Sequence, residues 1–439
     1  MQHMSTPVIL SLVGILLGIV VLIILMFNGF SPIFAAPIAA AIVFLFSGLP
    51  FLDQFLGVFY SGASTGVITF GPIFLGSCVF GYAYQASGSP QVIANFFAKT
   101  MGAKRMIPAL VISSLLLAYA GAGFATYMVL YSVGMCLCKI NNYPPRILAA
   151  CIFLGAWTLA LTGPGAPTPS NIIPGQYFGT NNWAGLVPGL ATGIVNIVLG
   201  ILYLRWQLKK WVNNGETFSD PHGMLPADSN IQDVGVGNFI FSLIPIIVLL
   251  VSFNIFNLNL VYASVLAALA VVVLNFKKRS LAGWAQELAN GAKMSVMPLM
   301  SLSMITAFGA VVNATPCYAY VLENLGKLEL NPYVLAVVVT NVLAGLLGSG
   351  ASAVTLSMSS LGGFFLKYEG IYNMGNFHRL ISLASGGLDS LPHNGNISSI
   401  LEMFKTSHKE SYFPIFICTC VLSILCTVCV GLPLMLLGF

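Results

Sequence analysis

The chain has 439 residues, 57% of them hydrophobic and 7% charged, with a formal net charge of +5 and a mean hydropathy of +0.91. A soluble domain carries roughly 25% charged residues, so this composition excludes a water-facing surface around one core and points to the lipid bilayer as the surrounding medium. The small net charge gives no reason to expect a nucleic-acid partner.

In chain order, residues 1–6 form a tail in which Met1-Gln2-His3 ahead of Met4 reads as a cloning remnant. No basic stretch precedes the first apolar run, so a cleavable signal is not expected. A spanning helix needs about 20 apolar residues. Runs of that kind lie at 7–26, 31–48, 62–84, 147–162 (continuing through a break), 184–204, 237–254, 258–276, 294–313, 379–392 (again broken) and 411–436. Two further stretches, 107–138 and 333–366, are interrupted by Ala120-Gly121-Ala122-Gly123 and by Gly348-Ser349-Gly350-Ala351-Ser352. Glycine lets a helix stop and the chain reverse, so each is read as a re-entrant hairpin. The nine cysteines, Cys426-Thr-Val-Cys429 among them, sit mostly in apolar runs and read as small hydrophobes rather than a redox or metal site.

Charge decides the topology. With ten crossings, two re-entrant hairpins and an external N-terminus, only Lys327, Lys367 and Arg379 of the 17 basic residues fall outside the cytoplasmic segments. Lys/Arg bias in short loops sets orientation, so both termini are expected on the periplasmic side of a bacterial inner membrane. Residues 212–236 form a cytoplasmic linker between two halves, 7–211 and 237–439.

The halves repeat each other. Gly121 and Gly348 are 227 residues apart, and Pro167-x-x-x-Asn171 recurs 225 residues later as Pro392-x-x-x-Asn396. Five crossings per half is an odd number, so the second half is inverted. The predicted fold is therefore all-α and polytopic, with two inverted repeats of five transmembrane helices plus one re-entrant hairpin each. Helices 7–48, 184–204, 237–276 and 411–436 are taken as a scaffold domain, and 62–171 with 294–396 as a transport domain. Broken helices lose backbone hydrogen bonds that lipid cannot replace, so they belong where they line a polar cavity.

Helix N-termini at such breaks carry unpaired N–H groups and attract anions. The predicted substrate-binding residues are Gly121, Gly123, Thr168, Ser170, Asn171, Gly348, Ser349, Gly350, Ser352, His393, Asn394 and Asn396, with Thr126 and Thr355 close by. No basic residue lies at the breaks, which favours a substrate with one carboxylate and hydroxyls. Asp389 is the one acid assigned to a membrane segment, where an ionisable group is expensive and functional by default. It is the candidate for cation coupling, by binding a proton or sharing a Na⁺ ion. By the 225-residue offset its counterpart is Pro164, so the halves are chemically unequal. His393 is read as a donor to a carboxylate, a proton relay or a cap, and Arg379 as an interfacial anchor. No cofactor and no resident metal is expected beyond the coupling cation.

Ser385-Gly386-Gly387-Leu388-Asp389-Ser390-Leu391-Pro392-His393-Asn394-Gly395, followed by Thr406-Ser407-His408-Lys409-Glu410-Ser411-Tyr412, resembles the C-terminal signature of the gluconate-permease (GntP-like) family. Gln85-Ala86-Ser87-Gly88 leading to Gly102-Ala103-Lys104-Arg105 resembles the family's segment before the first hairpin. The resemblance implies a place in the wider ion-transporter superfamily, a dimerising scaffold and a transport domain that moves as an elevator. It implies cation-coupled symport of a small organic anion, gluconate-like or 3-hydroxybutyrate-like. An uncoupled uniporter or exchanger, a membrane-embedded enzyme and a channel are the alternatives.

Overall fold

A computed structural model describes the chain except for residues 1–4, 90–91, 94–95, 97–104, 120–123, 167, 221–222, 224, 226–234, 257 and 326–329. Among the described residues the regular structure is helical, apart from one isolated bridge between Glu369 and Tyr372. Five helices among them are long and apolar enough to cross a membrane. Their outward faces are apolar: Leu16, Ile194 and Val296 are 54%, 52% and 52% exposed. Such faces suit lipid, not water.

The first half opens with α1 (Thr6–Phe27), α2 (Pro32–Leu45) and α3 (Phe51–Ala86). A pair follows, α4 (Met106–Tyr119) and α5 (Phe124–Asn141), whose helices pack on each other. The broken crossing is α6 (Ile147–Ala156), the one-turn α7 (Leu159–Thr162) and α8 (Pro169–Phe178), and α9 (Leu186–Asn213) completes the half. The second half runs α10 (Val236–Asn254), α11 (Leu260–Leu274), α12 (Leu281–Asn313), α13 (Pro316–Leu325), α14 (Pro332–Leu347) and α15 (Gly350–Leu366). Its broken crossing is α16 (Met374–Ser385) and α17 (Gly395–Met403). The last helix, α18 (His408–Leu436), contains two π-helical turns, Ile417–Val421 and Thr427–Gly431.

Local chemistry explains the joints. Asn331 caps α14 by accepting from the Tyr333 N–H, with Pro332 in the first turn where its missing N–H does no harm. Gly348 ends α14 in the left-handed region at φ +58°, and Ser349 starts α15 by accepting from the Ser352 N–H. Residues 332–366 are therefore a helical hairpin with a two-residue turn, and not one kinked helix. The tip of the first pair, with Gly121 and Gly123, lies outside the described residues.

Two boundaries differ from the sequence expectation. The helices α3 and α12 begin well before residues 62 and 294, because Gln54, Gln286 and Glu287 continue a helix that hydropathy alone cuts short. Packing also departs from the expected grouping. The helices α9 and α18 pack against α6 and against each other, whereas α1, α2, α3 and α12 form a separate set with α11 on α3 and α10 on α11. Thus 184–204 and 411–436 sit with the broken crossings rather than with 7–48. The two sets meet mainly where α5 lies on α3 and α17 lies on α12.

Candidate functional site

The second break is held open by side chains from distant positions. Asn394 donates from Nδ2 to the Gly348 carbonyl at 2.9 Å and to the Asp389 carbonyl at 2.7 Å, while its Oδ1 caps α17 by accepting from the Ile397 N–H at 3.0 Å. One amide thus ties the hairpin turn to the break. His393 Nε2 bonds the Gly345 carbonyl at 3.0 Å. Tyr412 donates to the Ser390 carbonyl at 2.8 Å, and His408 Nε2 lies 3.1 Å from the Pro392 carbonyl. Buried carbonyls freed by a broken helix need such partners.

Asp389 is 3% exposed. Its Oδ1 accepts from the Ser390 hydroxyl at 2.8 Å. Its Oδ2 faces the hairpin tip closely enough that a Cβ added to Gly350 would come to 3.0 Å from it, and to 2.6 Å from the Ser385 carbonyl. The close approach of tip and break therefore requires glycine at 350.

The first break is held differently. Arg379 is fully buried and donates to three carbonyls, Ala184 at 2.9 Å, Thr162 at 2.6 Å and Asn182 at 3.1 Å. It is a clamp on the first break contributed by the second half, and the expected interfacial anchor is corrected accordingly. Gly185 and Gly189 admit it, since a Cβ on either would meet its side chain at 2.5 and 2.7 Å. Beside it, His378 bridges Asn171 Oδ1 at 3.0 Å and the Thr180 hydroxyl at 2.7 Å.

Between the two breaks lies a cavity of about 310 Å³ lined by Phe70, Tyr127, Trp157, Thr168, Ser170, Ser349, Gly350, Asp389, Asn394 and Asn396, among others. Seven of the predicted residues thus share one wall. The Ser170 hydroxyl is buried without a hydrogen-bond partner, as expected of a group that meets a ligand. A neighbouring cavity of about 330 Å³ reaches α3 and α12 and adds Gly348 and Ser352. Phe70, Ser349 and Asn396 border both.

Asn171 and His393 are not on these walls. Asn171 donates to the Ala166 and Asn182 carbonyls, and His393 packs under the turn, where a Cβ on Gly348 would strike it at 2.8 Å. Both shape the breaks instead. Sequence reasoning missed Glu402, whose carboxylate accepts from Ser31 at 3.1 Å and Ser301 at 2.7 Å. The apolar run ends at 392, but α17 carries on to Met403, so this acid also lies within a broken crossing. Among the described residues, no three of His, Cys, Asp or Glu converge as a metal site.

The chain is similar to known transporters and permeases. The chain is 27% identical to the uncharacterized transporter YxjC of Bacillus subtilis, over 94% of this chain and 96% of that one. It is 23% identical to an uncharacterized permease of Haemophilus influenzae, over 80% and 77%. A solved structure, the YdaH transporter of Alcanivorax borkumensis, aligns over 99% of both chains at 12% identity with a TM-score of 0.44, a distance at which the likeness fixes no detail. The family model described as GntP family permease matches residues 10–388. With nearly the whole length matched and its helices suited to lipid, the chain is a membrane transporter belonging to the GntP permease family.

Proposed function

We propose that the chain is a secondary active carrier that moves a small organic anion, gluconate-like or 3-hydroxybutyrate-like, together with H⁺ or Na⁺. The observation that carries this reading is the shared wall of the 310 Å³ cavity, where a buried acid, a glycine tip and orphaned or small hydroxyl groups meet. The N-termini of α8 and α15 lie at Thr168-Pro169 and Ser349-Gly350, both on that wall. Helix N-termini and hydroxyls recognise a carboxylate without needing a basic side chain. Asp389 is then the coupling group, and a Na⁺ ion beside it would share that carboxylate.

The element order supports two repeats. The starts of α4 and α14, of α5 and α15, and of α8 and α17 are each 226 residues apart. With five crossings in each half the repeats are inverted. Packing favours a revised division: α4 to α9 with α14 to α18 as the moving group, and α1 to α3 with α10 to α12 as the support. The cavities lie along their junction, as elevator-type alternating access requires. The charge bias favours an inner-membrane protein with both termini periplasmic, and the support is the face through which a homodimer would form.

Counterflow in proteoliposomes tests the reading. A panel of short hydroxy acids and sugar acids is presented outside vesicles loaded with the unlabelled acid. Substrate-dependent accumulation of label is expected for at least one acid. Absence of exchange for every acid, from protein that binds one of them, would exclude a carrier.

A further inference from the structure

Beside the first break, and sharing Trp157 with the lining of the substrate cavity, a small polar void lies among α7, α9, the end of α16 and α18. Its wall carries Thr158, Thr162, Thr192, Asn196, Ser423 and Thr427, all buried. The volume is about 10 Å³, room for one water-sized sphere. We propose that this void is a binding site for a monovalent alkali cation, sodium by its size, separate from Asp389.

The hydrogen-bond directions carry the argument. The hydroxyls of Thr158, Thr162 and Thr192 donate to the carbonyls of Leu154, Thr158 and Pro188 at 2.6, 3.1 and 2.7 Å. With their hydrogens committed, these oxygens can offer only lone pairs. Asn196 donates from Nδ2 to the Ser423 hydroxyl at 2.8 Å. That leaves Asn196 Oδ1 buried and without a partner, in a residue only 4% exposed. An unpaired buried carbonyl oxygen calls for an explanation. A water could donate to Asn196 Oδ1 and to one further oxygen, whereas a cation would be held by all of these oxygens at once, and dependence on the cation present separates the two. No carboxylate lines the void, so the ring is neutral; a single charge suits it, while hard divalent cations favour carboxylates. An anion would face lone pairs.

The backbone is distorted around the same point. The first break interrupts the crossing at Thr158, with φ −113° and ψ −104°. The two π-helical turns of α18 flank Ser423, and Thr427 begins the second. Such turns recur at functional sites. Gly386 and Gly431 let the walls close in, since a Cβ on either would come to 2.8 Å from Thr162 Cγ2 or Thr192 Oγ1.

The proposal does not rest on organic-anion transport, so it is tested without substrate. The full-length protein in detergent is melted in choline chloride and in sodium or potassium chloride at equal ionic strength. Sodium is expected to raise the unfolding temperature by at least ~3 °C, and potassium by less. Thr192→Val keeps the shape and Asn196→Leu removes the orphaned oxygen; both should melt as wild type does in choline and lose the sodium shift. Asn196→Asp adds a charge and should bind sodium about tenfold more tightly. Asp389→Asn should keep the shift, which separates this site from coupling at Asp389. No sodium shift in the wild type overturns the proposal. So does a shift that survives Thr192→Val, or one that disappears in Asp389→Asn while persisting in Asn196→Leu. Should Asn196→Leu fail to fold, the Thr192→Val result decides.

Discussion

The two breaks solve one problem with opposite chemistry. At the first, which runs from Thr158 to Thr168, the guanidinium of Arg379, brought from the other half of the chain, holds the Thr162 carbonyl together with those of Asn182 and Ala184 in the loop before α9. At the second, around Gly386 to Asn394, neutral groups do the same work: Asn394, His393, Tyr412 and His408. The difference is instructive. The buried positive charge at the first break is bonded to backbone and positions structure, while the buried carboxyl of Asp389 lies on the cavity wall. On the proposed coupling, the half with an acid on the cavity wall is the half that would respond to a cation.

The largest effect is expected where the comparison is most lopsided. Arg379→Met takes the donor from the buried Thr162 carbonyl and from Ala184, while Asn182 keeps the Gly165 N–H and the Asn171 amide; a buried carbonyl left unpaired costs about 1–3 kcal/mol, so the yield of folded protein should fall. Arg379→Lys supplies a point charge that cannot fork to three acceptors, and should recover only part of it. Monodisperse yield by size-exclusion chromatography is the measure; a well-folded, active Met variant would show that the first break does not depend on this clamp.

Next in size is the contact between tip and acid. Gly350→Ala places a methyl group against the Ser385 carbonyl and Asp389 Oδ2, pushing the tip off the break. Transport should fall by more than tenfold while the purified protein keeps its elution profile. Wild-type uptake would mean that the tip need not approach Asp389. Smaller in exchange, but complete in accumulation, is the expected effect of Asp389→Asn. A neutral amide imitates a permanently protonated carboxyl and removes a Na⁺ ligand. Counterflow should survive while uptake driven by a cation gradient disappears, because exchange need not return an empty carrier. If both proceed at wild-type rates in the same vesicles, coupling lies elsewhere, and Glu402 and the void at Asn196 are the next places to look.

What could be read from the sequence follows the range of the forces involved. The hairpin at 348–352 and the break at 389–396 were legible because glycine, proline, serine and asparagine encode turns and caps within a few residues. The family signature around Asp389 was local too. The roles of Arg379 and His378 were not, since their partners are some 200 residues away: Asn171 for His378, and Thr162 and Asn182 for Arg379. Position near a helix start suggested an interface for Arg379, yet the amphipathic cue is the same for a side chain turned inward. The packing partners of α9 and α18 were not legible for a related reason: an uninterrupted apolar helix looks alike whether it borders lipid on one side or a broken crossing on the other.

The smallest predicted effect asks what the hairpin's hydroxyl does. Ser349 Oγ accepts from the Ser352 N–H at 3.3 Å, so it caps α15, whereas Thr168 donates to the Leu161 carbonyl at 2.6 Å and makes no side-chain cap on α8. If Ser349 acts as a cap, Ser349→Ala should cost about 1 kcal/mol, whereas glycine at an N-cap costs only a few tenths. Because the α15 N-terminus borders the proposed substrate, that difference should appear in binding as roughly a fivefold weaker affinity for Ser349→Ala and near-normal affinity for Ser349→Gly. A hydroxyl that instead touches the substrate would be missed equally in both variants. Thr168 gives the contrast: its hydroxyl braces the first break, so Thr168→Val should lower thermal stability and leave the ordering of the Ser349 variants unchanged. Equal losses for Ala and Gly at 349, measured with the same acid in the same vesicles, would move that hydroxyl from a helix cap to a substrate ligand.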